Sequence, residues 1–320
     1  MQAGRPKSIL EIMGSGQRML NRQKCILLMV ERAGRPVAHL ELTKWAFLTA
    51  EETPSRGGAC FYDFLPYRLG PFSFALYHEI DGLVRNGYLR NASRAGRDAW
   101  ELATDVRADT ARLARDIQRD AAGVVARFLD VGSDDLVDYV YDRFPWYTVN
   151  SRIRRLSQRP VADAAVYTVG YEGCSIDRLL NALMRRGIQA IVDVRRNPVA
   201  RRYGFHKSSL SRLCANVDID YVHVPEVGIP SELRRDLGSP SAYSRLFERY
   251  ERELLPKAQD AVRRIAHLVA GKPTALMCME ADPEMCHRSR LAGSVADVTR
   301  LPVHHLRGKT CEPASSQPRS

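Results

Sequence analysis

From Val166 to Leu306 the chain alternates short β-rich runs with longer amphipathic segments, and no other feature restricts its fold as much. Runs at Val166–Val169, Ala190–Val194, Tyr221–Val224, Thr274–Met279 and Val303–Leu306 are separated by helical patterns at Ile176–Arg186, Ser208–Ala215, Ala242–Ala270 and Cys286–Val295. Strands that alternate with helices pair in parallel, and the crossover helices cover both faces of the sheet. Ligands of such sheets sit beyond the carboxyl ends of the strands, so chemistry is expected there.

The preceding half is organised differently. Gln17–Ala33 and His39–Leu48 carry apolar residues at helical spacing, and Pro71 or Ser73 opens a helix through Phe74, Leu76, Ile80 and Leu83 that stops at Asn86-Gly87. Tyr88–Arg90 and Ala99–Leu102 read as strands joined by the polar, basic stretch Asn91–Asp98. Helices followed by a basic β-wing are the order of a winged helix. Helical spacing resumes from Asp105 to Val140 as an accessory pair carrying Val106, Leu113, Ile117, Val125 and Leu136. Ser151–Pro160 then holds four arginines and no acidic residue, and Arg159-Pro160 disfavours continued helix. The expected division is a winged-helix-like DNA-binding domain over 1–150, a basic linker over 151–163, an α/β domain over 164–308 and a disordered tail over 309–320. Two domains also suit a length of 320 residues.

Charge narrows the partner. Forty-eight Lys and Arg against 37 Asp and Glu leave a net +11, which favours a polyanion such as DNA. The longest apolar stretches, Cys25–Val30 and Ala275–Met279, fall far short of the roughly 20 residues that span a bilayer. Met1–Ser8 lacks the apolar core of a secretory signal, so no membrane partner and a cytoplasmic location are expected. Seven scattered cysteines without C-x-x-C spacing argue against a disulfide framework and a structural zinc site.

Four places carry candidate chemistry. Gly170-Tyr171-Glu172-Gly173 forms a strand-to-helix turn whose amides suit an anion or a sugar, although its glycines also serve simply to let the chain turn. Asp193 sits inside an apolar strand and needs a partner, Arg195 or Arg288, either as a structural ion pair or as a carboxylate tuned for acid or base work. From Arg195 to Val217 six basic residues and no acidic one, including Arg201 and Arg202, interleave with Tyr203, Phe205 and His206, a pattern suited to phosphates and stacked or flipped bases. Glu280 follows the fourth strand, and His287 and Arg288 open the next helix, so a carboxylate, an imidazole and a guanidinium can converge in one crevice. Zinc ligation by Cys286, His287 and Cys278 is set aside, because adjacent ligands are awkward and no second Cys/His pair has suitable spacing. A thiolate nucleophile at Cys286, favoured by its helix N-terminus, is the other alternative.

With these residues in view, Val166 to about Leu306 resembles the domain-of-unknown-function 488 family. Tyr167–Tyr171, Val192–Arg195 with Pro198, Tyr221–Gly228 and Leu276–Arg290 carry the resemblance, in that order. It implies a Rossmann-like α/β domain with polar residues clustered at the carboxylate and Cys-His-Arg motifs. Here Tyr171-Glu172 stands where many relatives have a His-Ser pair. Phe61–Leu89, through Leu69–Ser73 and Leu83–Leu89, resembles winged-helix domains of toxin–antitoxin and phage-linked proteins.

The expected function is therefore a DNA-acting enzyme, an N-glycosylase that removes a modified or damaged base in repair or phage defence. Asp193 or Glu280 would orient water or stabilise an oxocarbenium-like sugar, and His287 or Arg288 would receive the departing base. Tyr171, Tyr203 and Phe205 would stack on the flipped base, with Glu172, Arg195, Arg201, Arg202 and His206 also binding substrate. This chemistry calls for no metal and no cofactor. The rivals are a DNA-binding regulator or antitoxin whose α/β domain senses a small ligand, and a metal-dependent nuclease.

Overall fold

The computed structural model describes residues 19–103, 113–234 and 240–306, so Gln17, Arg18, the helical signal at Val106 and the tail over 309–320 lie outside the described residues. The chain divides into two compact units, Met1–Gln158 and Arg159–Ser320, and the division falls inside the expected linker. Among the described residues no helix is long and apolar enough to cross a membrane.

The first unit opens with α1 (Asn21–Ala33), β1 (Val37–Ala38) and α2 (His39–Glu52). A short hairpin follows, β2 (Leu65–Tyr67) on β3 (Gly70–Phe72), then α3 (Phe74–Arg85), β4 (Leu89–Arg94) and β5 (Arg97–Leu102). The spacing missed the β2–β3 hairpin, since Pro66 and Pro71 face each other across it and a proline pair is a poor strand signal. Ser73 caps α3 by accepting from the Leu76 amide at 3.2 Å. β4 and β5 extend further toward each other than the sequence pattern suggests, because Ala95 and Gly96 both take positive φ and close a two-residue turn. The three strands form one antiparallel sheet in the order β1-β5-β4. Helices α4 (Arg115–Phe128) and α5 (Ser133–Arg143) pack on α1 and α2, where Ile117, Val125, Phe128 and Leu136 join Trp45 and Phe47 in the core.

The second unit is a five-stranded sheet of β6 (Val166–Gly170), β7 (Ala190–Asp193), β8 (Asp220–His223), β9 (Thr274–Cys278) and β10 (Val303–Leu306). Its order is β10-β6-β9-β7-β8 and every pair is parallel, as the alternating pattern predicts. The crossovers carry α6 (Ile176–Arg185), α7 (Lys207–Ala215), α8 (Pro240–Arg249), α9 (Gln259–Gly271) and α10 (His287–Thr299). Val166, Val192, Leu276 and Cys278 share one core with residues of α9 and α10. The alternate residues Val169, Ile191, Ala275 and Met277 are buried too, so both faces are covered. The long helix expected over Ala242–Ala270 is instead α8 and α9, joined by a π turn at Tyr250–Leu254 and a 3-10 turn at Leu255–Ala258. Pro256 explains the break: it lacks an N–H and its ring crowds the carbonyl one turn back.

The basic linker is anchored at both ends. The Ser151 hydroxyl lies 2.8 Å from the Tyr141 hydroxyl and the Leu156 amide donates to Thr148 Oγ1 at 2.8 Å, fixing the first half to the N-terminal unit. The Arg159 guanidinium donates to the carbonyls of Val217, at 3.0 Å, and Ile188 in the C-terminal unit. Between these anchors the chain stays at the surface: Arg152 to Leu156 are all exposed, as is Gln158. Brief trypsin treatment is expected to separate the units by a first cut after Arg154 or Arg155; first cuts inside α9 would place the boundary wrongly.

Candidate functional site

From β7 the chain moves outward to β8, whereas from β9 it returns across β6 to β10. Neighbouring strands that send the chain in opposite directions open a crevice at their carboxyl ends. β7 delivers Asp193 to that crevice and β9 delivers Cys278, followed by Glu280.

The two carboxylates have different surroundings. Asp193 is fully buried, and it accepts from Arg195 at its Nε (2.8 Å), its Nη2 (2.6 Å) and its backbone amide (3.2 Å). Tyr221 adds a fourth bond, donating its hydroxyl at 2.6 Å. Burial, and after it the Asp193 charge, push the Tyr221 hydroxyl well above the usual phenol range, so it stays a donor. The bidentate pair and these two further donors occupy the carboxylate's acceptor directions. Arg195 also donates to the Tyr171 hydroxyl at 2.9 Å.

Glu280 belongs to another cluster. Its Oε2 lies 2.9 Å from Cys286 Sγ and 3.0 Å from Cys278 Sγ, and Arg234 Nη1 approaches Oε1 at 3.5 Å. His287 Nδ1 is 3.9 Å from each sulfur. The opposite ring nitrogen, Nε2, stands 3.3 Å from the Val194 carbonyl, so Nε2 carries the proton and Nδ1 faces both the sulfurs and Arg234 Nη2, which lies 3.4 Å away. Burial raises the Glu280 carboxyl, reinforced by the Cys278 charge. The Cys278 thiol is drawn well below the usual thiol range, chiefly by the Cys286 thiol hydrogen-bonding to it, while burial drives Cys286 upward.

Main-chain contacts hold this loop in place. Arg288, fully buried, donates to the Glu280 carbonyl at 2.5 Å and the Ala281 carbonyl at 3.0 Å. Glu172 accepts from the Ala281 amide at 3.0 Å, and its own amide donates to the Met279 carbonyl at 2.8 Å. Gly170 lies so close beneath the Glu280 carbonyl that a Cβ there would collide with it.

The expected site residues thus separate into groups. Glu280 and His287 meet, as the sequence suggests, but Asp193 is tied to Arg195 and Tyr221, and Arg288 is spent on backbone carbonyls. Glu172 likewise braces the loop. Tyr171 and Phe205 stack on each other, with ring centroids 4.1 Å apart, and Phe205 is fully buried, so neither offers a face to a base. The aromatic spacing in the basic run gave no sign that Phe205 points inward. Arg201, Arg202 and His206 are exposed, and Tyr203 is half-buried. Cys278, Cys286 and His287 place their ligand atoms within 4.8 Å of one another, a donor set able to hold a metal. The objection to adjacent ligands fails because Cys286 is extended (φ −138°, ψ 137°) while His287 begins α10, and that change of backbone turns both side chains the same way. Arg234 was not foreseen; it comes from the isolated turn Ser231–Arg234, outside every motif.

Fold and site define a parallel α/β domain with a buried thiol–imidazole–carboxylate cluster at its topological switch. The model of the family described as "Domain of unknown function DUF488" matches residues 175–295, from the Ser175 cap of α6 into α10. The C-terminal unit therefore carries a DUF488 domain, which takes in the Asp193–Arg195 pair and the whole Cys278–His287 cluster but not Tyr171 and Glu172. No curated protein and no solved structure matches the chain.

Proposed function

We propose that this protein is a cytoplasmic hydrolase acting on DNA, which cleaves the N-glycosidic bond of a modified or damaged base, and that Glu280 is its working carboxylate. The observation that carries this reading is the contrast between the two strand-end carboxylates. Asp193 has a fixed donor on every side, whereas Glu280 is half-buried, lies against the Cys278 and Cys286 sulfurs and has only a long contact to Arg234. A general base must reach a substrate proton with a free lone pair. In hydrolysis the water oxygen bonds to the anomeric carbon, the carbon–nitrogen bond breaks, and its electron pair leaves with the base. Glu280 takes the water proton, and Arg234, which approaches Glu280 Oε1 at 3.5 Å, supplies positive charge for the leaving base.

DNA as substrate is supported by three features. The net charge is +11. Arg196, Arg201, Arg202, Lys207 and Arg212 are exposed between β7 and the end of α7, and among the described residues none of the five is held in an ion pair. The N-terminal unit runs α1, β1, α2, the short β2–β3 hairpin, α3 and the β4–β5 hairpin, with its sheet in the order β1-β5-β4, an order that supports the winged-helix reading. Repair, or defence against phage carrying modified DNA, is the role such a pairing fits.

The test is incubation of the pure protein with duplexes bearing ordinary and modified bases, followed by assays for abasic sites and for strand breaks. Abasic sites without breaks are expected. Direct breaks would favour a nuclease, and no reaction on any duplex would favour a DNA-binding regulator. Binding should weaken steeply with salt, and Arg201→Ala with Arg202→Ala should flatten the slope by about two phosphate contacts while leaving the melting temperature unchanged. A slope identical to wild type would remove this loop from the DNA surface.

A further inference from the structure

We propose that Cys278, Cys286 and His287 bind one zinc ion at the carboxyl end of the central sheet, with Glu280 beside the two sulfur ligands. This goes beyond the DNA reading and does not depend on it. Zinc sits about 2.3 Å from sulfur and about 2.0–2.1 Å from imidazole nitrogen, so a tetrahedral ion separates a sulfur from the nitrogen by about 3.6 Å. The observed separation is 3.9 Å for both sulfurs, a few tenths of an ångström from that spacing. All three ligands are essentially fully buried, so their side chains are ordered before any ion arrives.

Three further observations point the same way. His287 is oriented as a ligand: Nε2 donates to the Val194 carbonyl, which holds Nδ1 toward the sulfurs, the arrangement that outer-shell carbonyls impose on metal-binding histidines. Two thiols and an imidazole are soft donors, which select zinc over magnesium or calcium. Charge matters as well: two thiolates balance the two charges of the ion, whereas without it two thiols, an imidazole and a carboxylate crowd one water-poor space.

Glu280 Oε2 lies nearly equidistant from the two sulfurs, at 2.9 and 3.0 Å, and so adjoins both proposed sulfur ligands. Three protein ligands with an exchangeable fourth is the pattern of a catalytic zinc site. Zinc held there would supply Lewis-acid activation of a coordinated water, and Glu280 would be the neighbouring carboxylate able to take its proton.

The experiment uses the full-length protein, purified under reducing conditions and stripped with a chelator. Zn2+ is titrated against a chromophoric chelator, and Co2+ is followed by absorption. One Zn2+ per chain is expected, with a Co2+ spectrum showing thiolate charge transfer in the near ultraviolet and the intense visible bands of a tetrahedral ion. Cys286→Ser should weaken Zn2+ binding by about tenfold or more and diminish the charge-transfer band. Cys60→Ser, at an exposed cysteine in the other unit, should change neither. The proposal is overturned by absent or sub-stoichiometric Zn2+, by the weak spectrum of octahedral cobalt, by unchanged affinity in Cys286→Ser, or by loss of two titratable thiols to a Cys278–Cys286 disulfide under these conditions. Should Cys286→Ser fail to fold, the wild-type Co2+ spectrum decides alone. Stoichiometric metal in a protein that forms no abasic sites leaves the zinc site standing and removes the glycosidic reading instead.

Discussion

Glu280→Gln is expected to lower single-turnover formation of abasic sites by about a hundredfold or more, the loss that follows when a positioned base or charge-stabilising carboxylate is made neutral. The substitution conserves volume. The backbone of residue 280 is held by Arg288 and packs against Gly170, so the loop should keep its path. DNA affinity, the unfolding midpoint and bound Zn2+ are each expected to stay near wild type, since none of the three zinc ligands is altered. A variant that turns over at the wild-type rate would remove Glu280 from the mechanism.

Asp193→Asn is expected to act on stability. It strips the buried Arg195 guanidinium of its charge partner and leaves the amide's hydrogens opposed to donors from Arg195 and Tyr221. Breaking one side of a buried ion pair costs about 3–5 kcal/mol, a large share of the stability of a domain this size. Denaturant unfolding measures it, through a lower midpoint at unchanged slope. Wild-type stability with abolished turnover would reverse the roles assigned here to the two carboxylates.

The contrast between Asp193 and Glu280 also marks how far sequence could be read. Both follow apolar runs and both have arginines nearby, so pattern alone ranks them together. What separates them is Tyr221 on the adjacent strand and the backbone of Arg195, and these are facts of pairing register. The five strands and the parallel sheet were legible, because short β-rich apolar runs separated by helical spacing are a local signal. Their order was not, since nothing near β9 states that it inserts between β6 and β7. The same insertion hid Arg234, which meets Glu280 from a segment 46 residues away. Cys278, Cys286 and His287 were all noticed, but spacing rules assume that neighbouring residues diverge, as they do within a helix and not at the junction that begins one. Phe205 misled in the opposite sense: an aromatic in a basic run looked like surface, yet its burial against Tyr171 organises the turn beneath that run.

Gly170 contributes no functional group to the crevice, yet the Glu280 carbonyl rests where its side chain would be. The Glu280 carboxylate is thereby located by a steric fit between two stretches of main chain, one at the end of β6 and one just past β9. Residue 280 can be exchanged without disturbing that fit, but residue 170 cannot gain even a methyl group. The two positions therefore face opposite freedoms during divergence: a relative can change its chemistry at 280 while keeping the frame, whereas drift at 170 would displace the frame before any chemistry was tried.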